Sequence, residues 1–131
     1  AALYVNLAEH PARMDCGTAL TVRQFAPSYR RAALMQASLA IVGLASAVGA
    51  WWRGSHVAIL TGGLLLGAVV PFTLLVIRPV NKRLLAHRVG VDSVEATALL
   101  RRWGRLHAIR TILGLLAFGT LLASIVLPRS F

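Results

Sequence analysis

Acidic side chains are nearly missing from this chain. Its 131 residues hold 4 Asp+Glu against 14 Lys+Arg, a formal net charge of +10. Charged residues of both signs make up only 14%, against roughly 25% in an ordinary soluble domain. Cysteine is down to one, Cys16, which excludes an internal disulfide and a zinc site built on cysteines. No internal repeat, low-complexity stretch or nucleic-acid-binding motif is visible. The opening Ala-Ala-Leu-Tyr-Val lacks the basic start, full apolar region and small-residue cleavage site of a signal peptide. It also lacks an initiator Met, which reads as an upstream segment cut off.

Apolar residues fill that space. They make up 57% of the chain, and mean hydropathy is +0.71. This excludes a disordered chain and argues against a water-soluble globule. In so apolar a sequence the cationic excess reads as the flanks of membrane helices, not as a nucleic-acid surface. The length suits one domain, residues 1–131. The clearest span is Val57 to Val80, with no charge before Arg78. A second covers about 30–52, and a third ends near Leu127, just before Pro128. About 20 apolar residues cross the hydrocarbon core, so these three suffice or nearly so. The opening is apolar only as far as Ala8. It reads as the C-terminal half of a first span, with a short interfacial helix as the alternative. The expected fold is therefore all-α: an integral membrane four-helix bundle, truncated at its first helix. Its helices are expected at about 1–12, 30–52, 57–80 and 93–127.

Twelve basic residues fall in the two long connections, Arg13 to Arg31 and Arg78 to Arg110, against Arg53 and Arg129 on the other side. The positive-inside rule then makes both long basic loops cytoplasmic. Trp51 and Trp52 match the aromatic belt of the outer face. Asp92-Ser93-Val94-Glu95 supplies a cap residue with an acid three positions on, so the fourth helix starts before the membrane and its first turns project into the cytoplasm. Gly63-Leu-Leu-Leu-Gly67 is a small-xxx-small match, read as helix packing.

The unusual polar residues gather at one membrane depth. Asn6, Glu9, His10 and Arg13 share one helical face. Arg78, Pro79 and Asn81 close the third helix. Trp103, His107 and Arg110 are spaced i, i+4, i+7 where the fourth meets the membrane, and Gln36 lies one to two turns into the second. Ionisable groups near hydrocarbon are costly and face the bundle interior, so these residues point to a shared site at the cytoplasmic boundary. Simpler readings stand beside this one. Arginines snorkel to lipid phosphates, Glu9 pairs structurally with Arg or His, Asn81 satisfies backbone at a helix end, and Trp103 anchors at the interface. His56 and His87 sit in loops and carry no assigned role.

Four stretches together carry a resemblance. They are Tyr4-Val5-Asn6-Leu7-Ala8-Glu9-His10-Pro11-Ala12-Arg13, Pro27-Ser28-Tyr29-Arg30-Arg31-Ala32, Pro71-Phe72-Thr73 through Arg78-Pro79-Val80-Asn81, and Trp103-Gly104-Arg105-Leu106-His107-Ala108-Ile109-Arg110. In this order they resemble the DUF1772, or anthrone oxygenase-like, family of small membrane proteins, in a bacterial member lacking much of its first helix. The resemblance implies a four-helix membrane bundle, set in the bacterial inner membrane. It also implies oxidation of anthrones to anthraquinones with molecular oxygen, without a conventional cofactor. Carried onto this chain, it implies catalytic roles for His107, His10, Glu9, Asn81 and Arg110. Around them, Asn6, Arg13, Arg78, Trp103 and Tyr4 would hold substrate.

Such chemistry suits these residue types. An anthrone carries an acidic methylene, so the site needs a base working near neutral pH, which His107 or His10 supplies. Arg110, Arg78 or Asn81 would stabilise the oxyanion, and Trp103 or Tyr4 would stack on the ring system. Partners would be membrane lipids and an apolar aromatic small molecule, with no nucleic acid. Two alternatives stay open. One is a metal or haem centre, whose ligands would be Glu9, His10 and His107. The other is a non-enzymatic scaffold or subunit, acting in an oligomer or with a partner subunit.

Overall fold

Four helices make up the computed structural model, which describes residues 1–86 and 93–126. His87, Arg88, Asp92, Leu127, Pro128 and Arg129, all used in the expectations above, lie outside the described residues. Helix α1 runs through Ala2–Tyr4, a π-helical turn Val5–Glu9 and His10–Asp15. Helix α2 is Thr18–Trp52, α3 is Val57–Leu85 and α4 is Val94–Val126. The described residues contain no strand. The last three helices are each long and apolar enough to cross a membrane.

Every helix is longer at the basic end than its apolar run. Helix α2 begins at Thr18 instead of about 30, α3 continues to Leu85 instead of 80, and α1 reaches Asp15 instead of 12. Hydropathy marks only the part that meets lipid, whereas the backbone keeps bonding into the amphipathic flank. The turns come where glycine permits them. Gly17 and Gly54 adopt φ of 92° and 90°, a region that strains any other residue. At α4 it is Ser93 that closes the first turn, its hydroxyl accepting from the Ala96 N–H at 3.1 Å. Glu95 instead pairs with Arg83 of α3 at 2.8 Å. His56 also caps: its Nδ1 accepts from the Ala58 N–H at the start of α3.

Proline explains the two π turns. In α1 the turn ends at His10, whose N–H bonds to the Val5 carbonyl, and Pro11 follows. In α3 it ends at Arg78, whose N–H bonds to the Thr73 carbonyl, and Pro79 follows. A proline ring has no N–H and clashes with the carbonyl four residues back. Widening the preceding turn moves that carbonyl aside without breaking the helix.

Small residues bring the spans together. A Cβ at Gly63 would lie 2.3 Å from the Ala47 Cβ of α2, and one at Gly67 would lie 2.7 Å from Leu44. On the opposite face a Cβ at Gly62 would lie 2.6 Å from Leu121 of α4. The expected Gly63–Gly67 packing is therefore present, with α3 pressed between α2 and α4. Leu34, Leu39 and Val42 of α2 and Leu115, Phe118 and Ile125 of α4 stay exposed, as a surface facing lipid should.

The buried apolar cluster lies at the basic end. Phe25, Ile77, Val80, Leu84, Leu99, Leu100 and Trp103 form it. Where helices leave hydrocarbon for water, the hydrophobic effect can hold them together. The early turns of α4 thus pack against the end of α3, forming a floor beneath the polar residues.

Candidate functional site

Three polar links between helices meet above that floor. The first joins α1 to α4. His107, 5% exposed, puts its Nδ1 2.6 Å from the Asn6 side-chain amide, and the Thr111 hydroxyl lies 2.7 Å from the same amide. The amide fits in two orientations. With Oδ1 facing the ring, Nδ1 carries the hydrogen, and Nδ2 donates to the Gly104 carbonyl at 3.4 Å. Turned over, Nδ2 lies within donating distance of Nδ1, the Thr111 hydroxyl and the Ala2 carbonyl, and Oδ1 accepts from the Ala108 N–H at 3.3 Å. Arg110 bears on the choice: its Nη1, a donor only, lies 3.5 Å from His107 Nε2, a placement that suits a lone pair there and hence the first orientation. In that orientation Nε2 turns its lone pair to the side of Arg110 and the cavity.

The second link joins α1 to α2. Glu9 and Arg13, one helical turn apart, form an ion pair, and Arg13 also donates to the Ser28 hydroxyl at 2.7 Å. The third joins α4 to α2, where Arg110 donates to Gln36 Oε1. Gln36 is neutral, so no carboxylate among the described residues balances Arg110.

These links surround a cavity of about 190 Å³. Its polar end holds Glu9, Arg13, Asn81, His107 and Arg110. Ala33, Ala37 and Ala40 of α2, at i, i+4, i+7, form a smooth wall leading to Val69 and Val70 of α3. Trp103 closes the floor, its ring 4.8 Å from that of His107 and stacked on it. Asn81 is only 1% exposed, yet among the described residues neither its Nδ2 nor its Oδ1 has a hydrogen-bond partner. Unpaired buried amides are rare because each costs the full desolvation of its polar atoms.

The expected site residues are thus only partly brought together. Glu9, Arg13, Asn81, Trp103, His107 and Arg110 line the cavity. Asn6 stands behind it, holding His107. His10 faces α4 instead: its ring packs 5.2 Å from Trp103, and a Cβ on Gly104 would lie 2.6 Å from its Nε2. Tyr4 is 63% exposed and Arg78 is exposed, and neither lines the cavity. Helix α1 presents one face to α4 and leaves Tyr4 on the other. Arg78 follows the π turn, which rotates it outward. The described residues hold no group of three or more His, Cys, Asp or Glu side chains arranged to take a metal. Glu9 is engaged by Arg13, and Trp103 packs against both His10 and His107.

Some participants went unmarked. Ser28 receives Arg13, and Thr111 lies one turn beyond His107 against Asn6. Their spacing gave a signal: Thr111 is i+4 from His107, and Ser28 is i+3 from the buried Phe25.

Comparison with known proteins identifies the group to which this chain belongs. Residues 25–120 match the family model described as Anthrone oxygenase. No curated protein and no solved structure matches. The matched stretch takes in Asn81, Trp103, His107 and Arg110, whereas α1 lies before it. With most of its length matched and three helices able to span a bilayer, the chain belongs to the anthrone oxygenase family of membrane proteins.

Proposed function

We propose that this protein oxidises an anthrone-type aromatic compound with molecular oxygen in the cavity between its helices, with His107 as general base. One observation carries the reading. A buried histidine is fixed through Nδ1 by Asn6 and stands beside an unbalanced guanidinium, at the polar end of an apolar cavity. That combination suits a carbon acid. Nε2 takes a proton from the methylene between two aromatic rings, and Arg110 and Asn81 stabilise the oxygen on which the charge settles. The electron-rich anion then reduces oxygen and bonds to it. Proton return gives a hydroperoxide, and loss of water leaves a carbonyl. The carbon gives up both hydrogens, one oxygen atom stays on it and the other leaves as water.

The alanine wall supports a flat, apolar substrate entering from the bilayer. Trp103, stacked on His107, would hold the ring system against the base. The twelve-to-two split of basic residues would put this site at the cytoplasmic side of a bacterial inner membrane.

Oxygen uptake tests the proposal. The purified protein in lipid nanodiscs is given a small set of hydroxyanthrones, with autoxidation as baseline. Uptake well above baseline is expected, and His107→Ala should lose it while keeping its thermal unfolding transition. Uptake at baseline, or undiminished uptake in His107→Ala, would overturn the reading.

A further inference from the structure

The polar end of the cavity holds more positive charge than its residues balance. Glu9 answers Arg13, and Gln36 gives Arg110 a hydrogen bond without a charge. Among the described residues, the Nε atoms of both arginines are buried without a partner. The Asn81 amide, also unpaired, lines the same cavity. Buried cationic groups without a counter-charge are costly unless something anionic completes them. Water alone would leave the Arg110 charge uncompensated.

We infer that the cavity binds its ligand as an organic anion, with one charged oxygen seated between Arg110 and Asn81 and an apolar body along Ala33, Ala37 and Ala40. Guanidinium and amide N–H groups both donate to an anionic oxygen, and charge-assisted bonds of this kind are the stronger ones. Asn81 Oδ1 is left to accept from an O–H on the ligand. The inference deepens the oxygenase reading, since its substrate would be held as the conjugate base. By linkage, a site that prefers the anion also makes the bound substrate more acidic. A ligand without charge leaves Arg110 as it is, so selection between charged and neutral forms of one shape is the signature.

Binding tests this without any turnover. Naphthoate and the similarly shaped neutral naphthamide are titrated into the full chain in nanodiscs of zwitterionic lipid, with affinity read by calorimetry. The native protein should prefer naphthoate by about tenfold or more, the weight of one hydrogen bond to a charged group. Arg110→Gln should remove the preference and Arg110→Lys should retain most of it. Arg101→Gln, which alters an exposed charge on the same helix, should leave it unchanged. Equal affinity for the two probes, no binding of either, or a preference that survives Arg110→Gln would overturn the inference. So would a preference lost in Arg101→Gln, which would place the attraction on the surface. Anion preference without oxygen uptake would defeat the oxygenase reading alone. Uptake without anion preference would defeat only this one.

Discussion

Replacing Gly104 by alanine should separate α1 from α4 and release His107. A Cβ there would lie 2.6 Å from His10 Nε2 and 2.8 Å from its Cδ2. Ordinary contact begins near 3.4 Å, so the imidazole must retreat by about 0.8 Å. It cannot simply swing aside, because Trp103 packs against it. The retreat therefore moves α1, and the Asn6 contact to Nδ1 stretches from 2.6 Å to about 3.4 Å, the weak end of the hydrogen-bonding range. Overpacking costs about 1–3 kcal/mol and the weakened buried bond up to about 1 kcal/mol. Alanine's better helix propensity returns about 1 kcal/mol. The net loss is then about 1–3 kcal/mol, read by reversible unfolding in detergent. Gly114→Ala and Gly119→Ala on the same helix meet nothing within 4 Å and should be neutral or stabilising. In nitrogen NMR of labelled histidine, Gly104→Ala should also convert the single Nδ1–H tautomer of His107 into a mixture. A Gly104→Ala protein as stable as Gly114→Ala, with its tautomer unchanged, would refute the argument.

Asn81→Leu should raise the unfolding temperature while abolishing oxygen uptake. It removes a buried amide whose unpaired atoms cost about 1–3 kcal/mol and which lines the cavity of the proposed reaction. A destabilised variant would mean that the amide is already satisfied. Glu9→Gln should destabilise by about 1–3 kcal/mol, between the values for an exposed and a buried pair, because Arg13 is enclosed while Glu9 reaches water. Adding Arg13→Gln should recover most of that loss, and denaturant titration of both variants checks it.

The spans and their order were readable in the sequence, because apolar length and basic flanks follow directly from the solvent. His107, Arg110 and Asn81 stood out because polar groups near hydrocarbon are costly, although snorkelling and a helix end also account for Arg110 and Asn81. Helix α1 was harder. Spacing put Asn6, Glu9, His10 and Arg13 on one face, but the π turn between them divides their duties. Asn6 holds His107, Glu9 and Arg13 border the cavity, and His10 packs on Gly104 and Trp103. Proline marked both irregular turns, yet a proline can kink, end or widen a helix, and the choice depends on what its neighbours pack against. Hydropathy also concealed where α2 begins, since Thr18 to Arg31 is helical without being apolar. Tyr4 and Arg78 looked like site residues from their neighbours in sequence, whereas rotation about the helix axis decides where each one points.

The wide turn at Thr73–Ile77 has a consequence for how such a protein can change. One extra residue in a turn advances everything beyond it by about 100° around the axis, since an ordinary turn takes 3.6 residues. The half of α3 that carries Gly62, Gly63 and Gly67 and the half that carries Asn81 therefore keep separate angular phases. A single insertion or deletion at the junction would re-aim Asn81 while leaving the glycine seam in register. Membrane fit and ligand choice can thus drift independently within one unbroken helix.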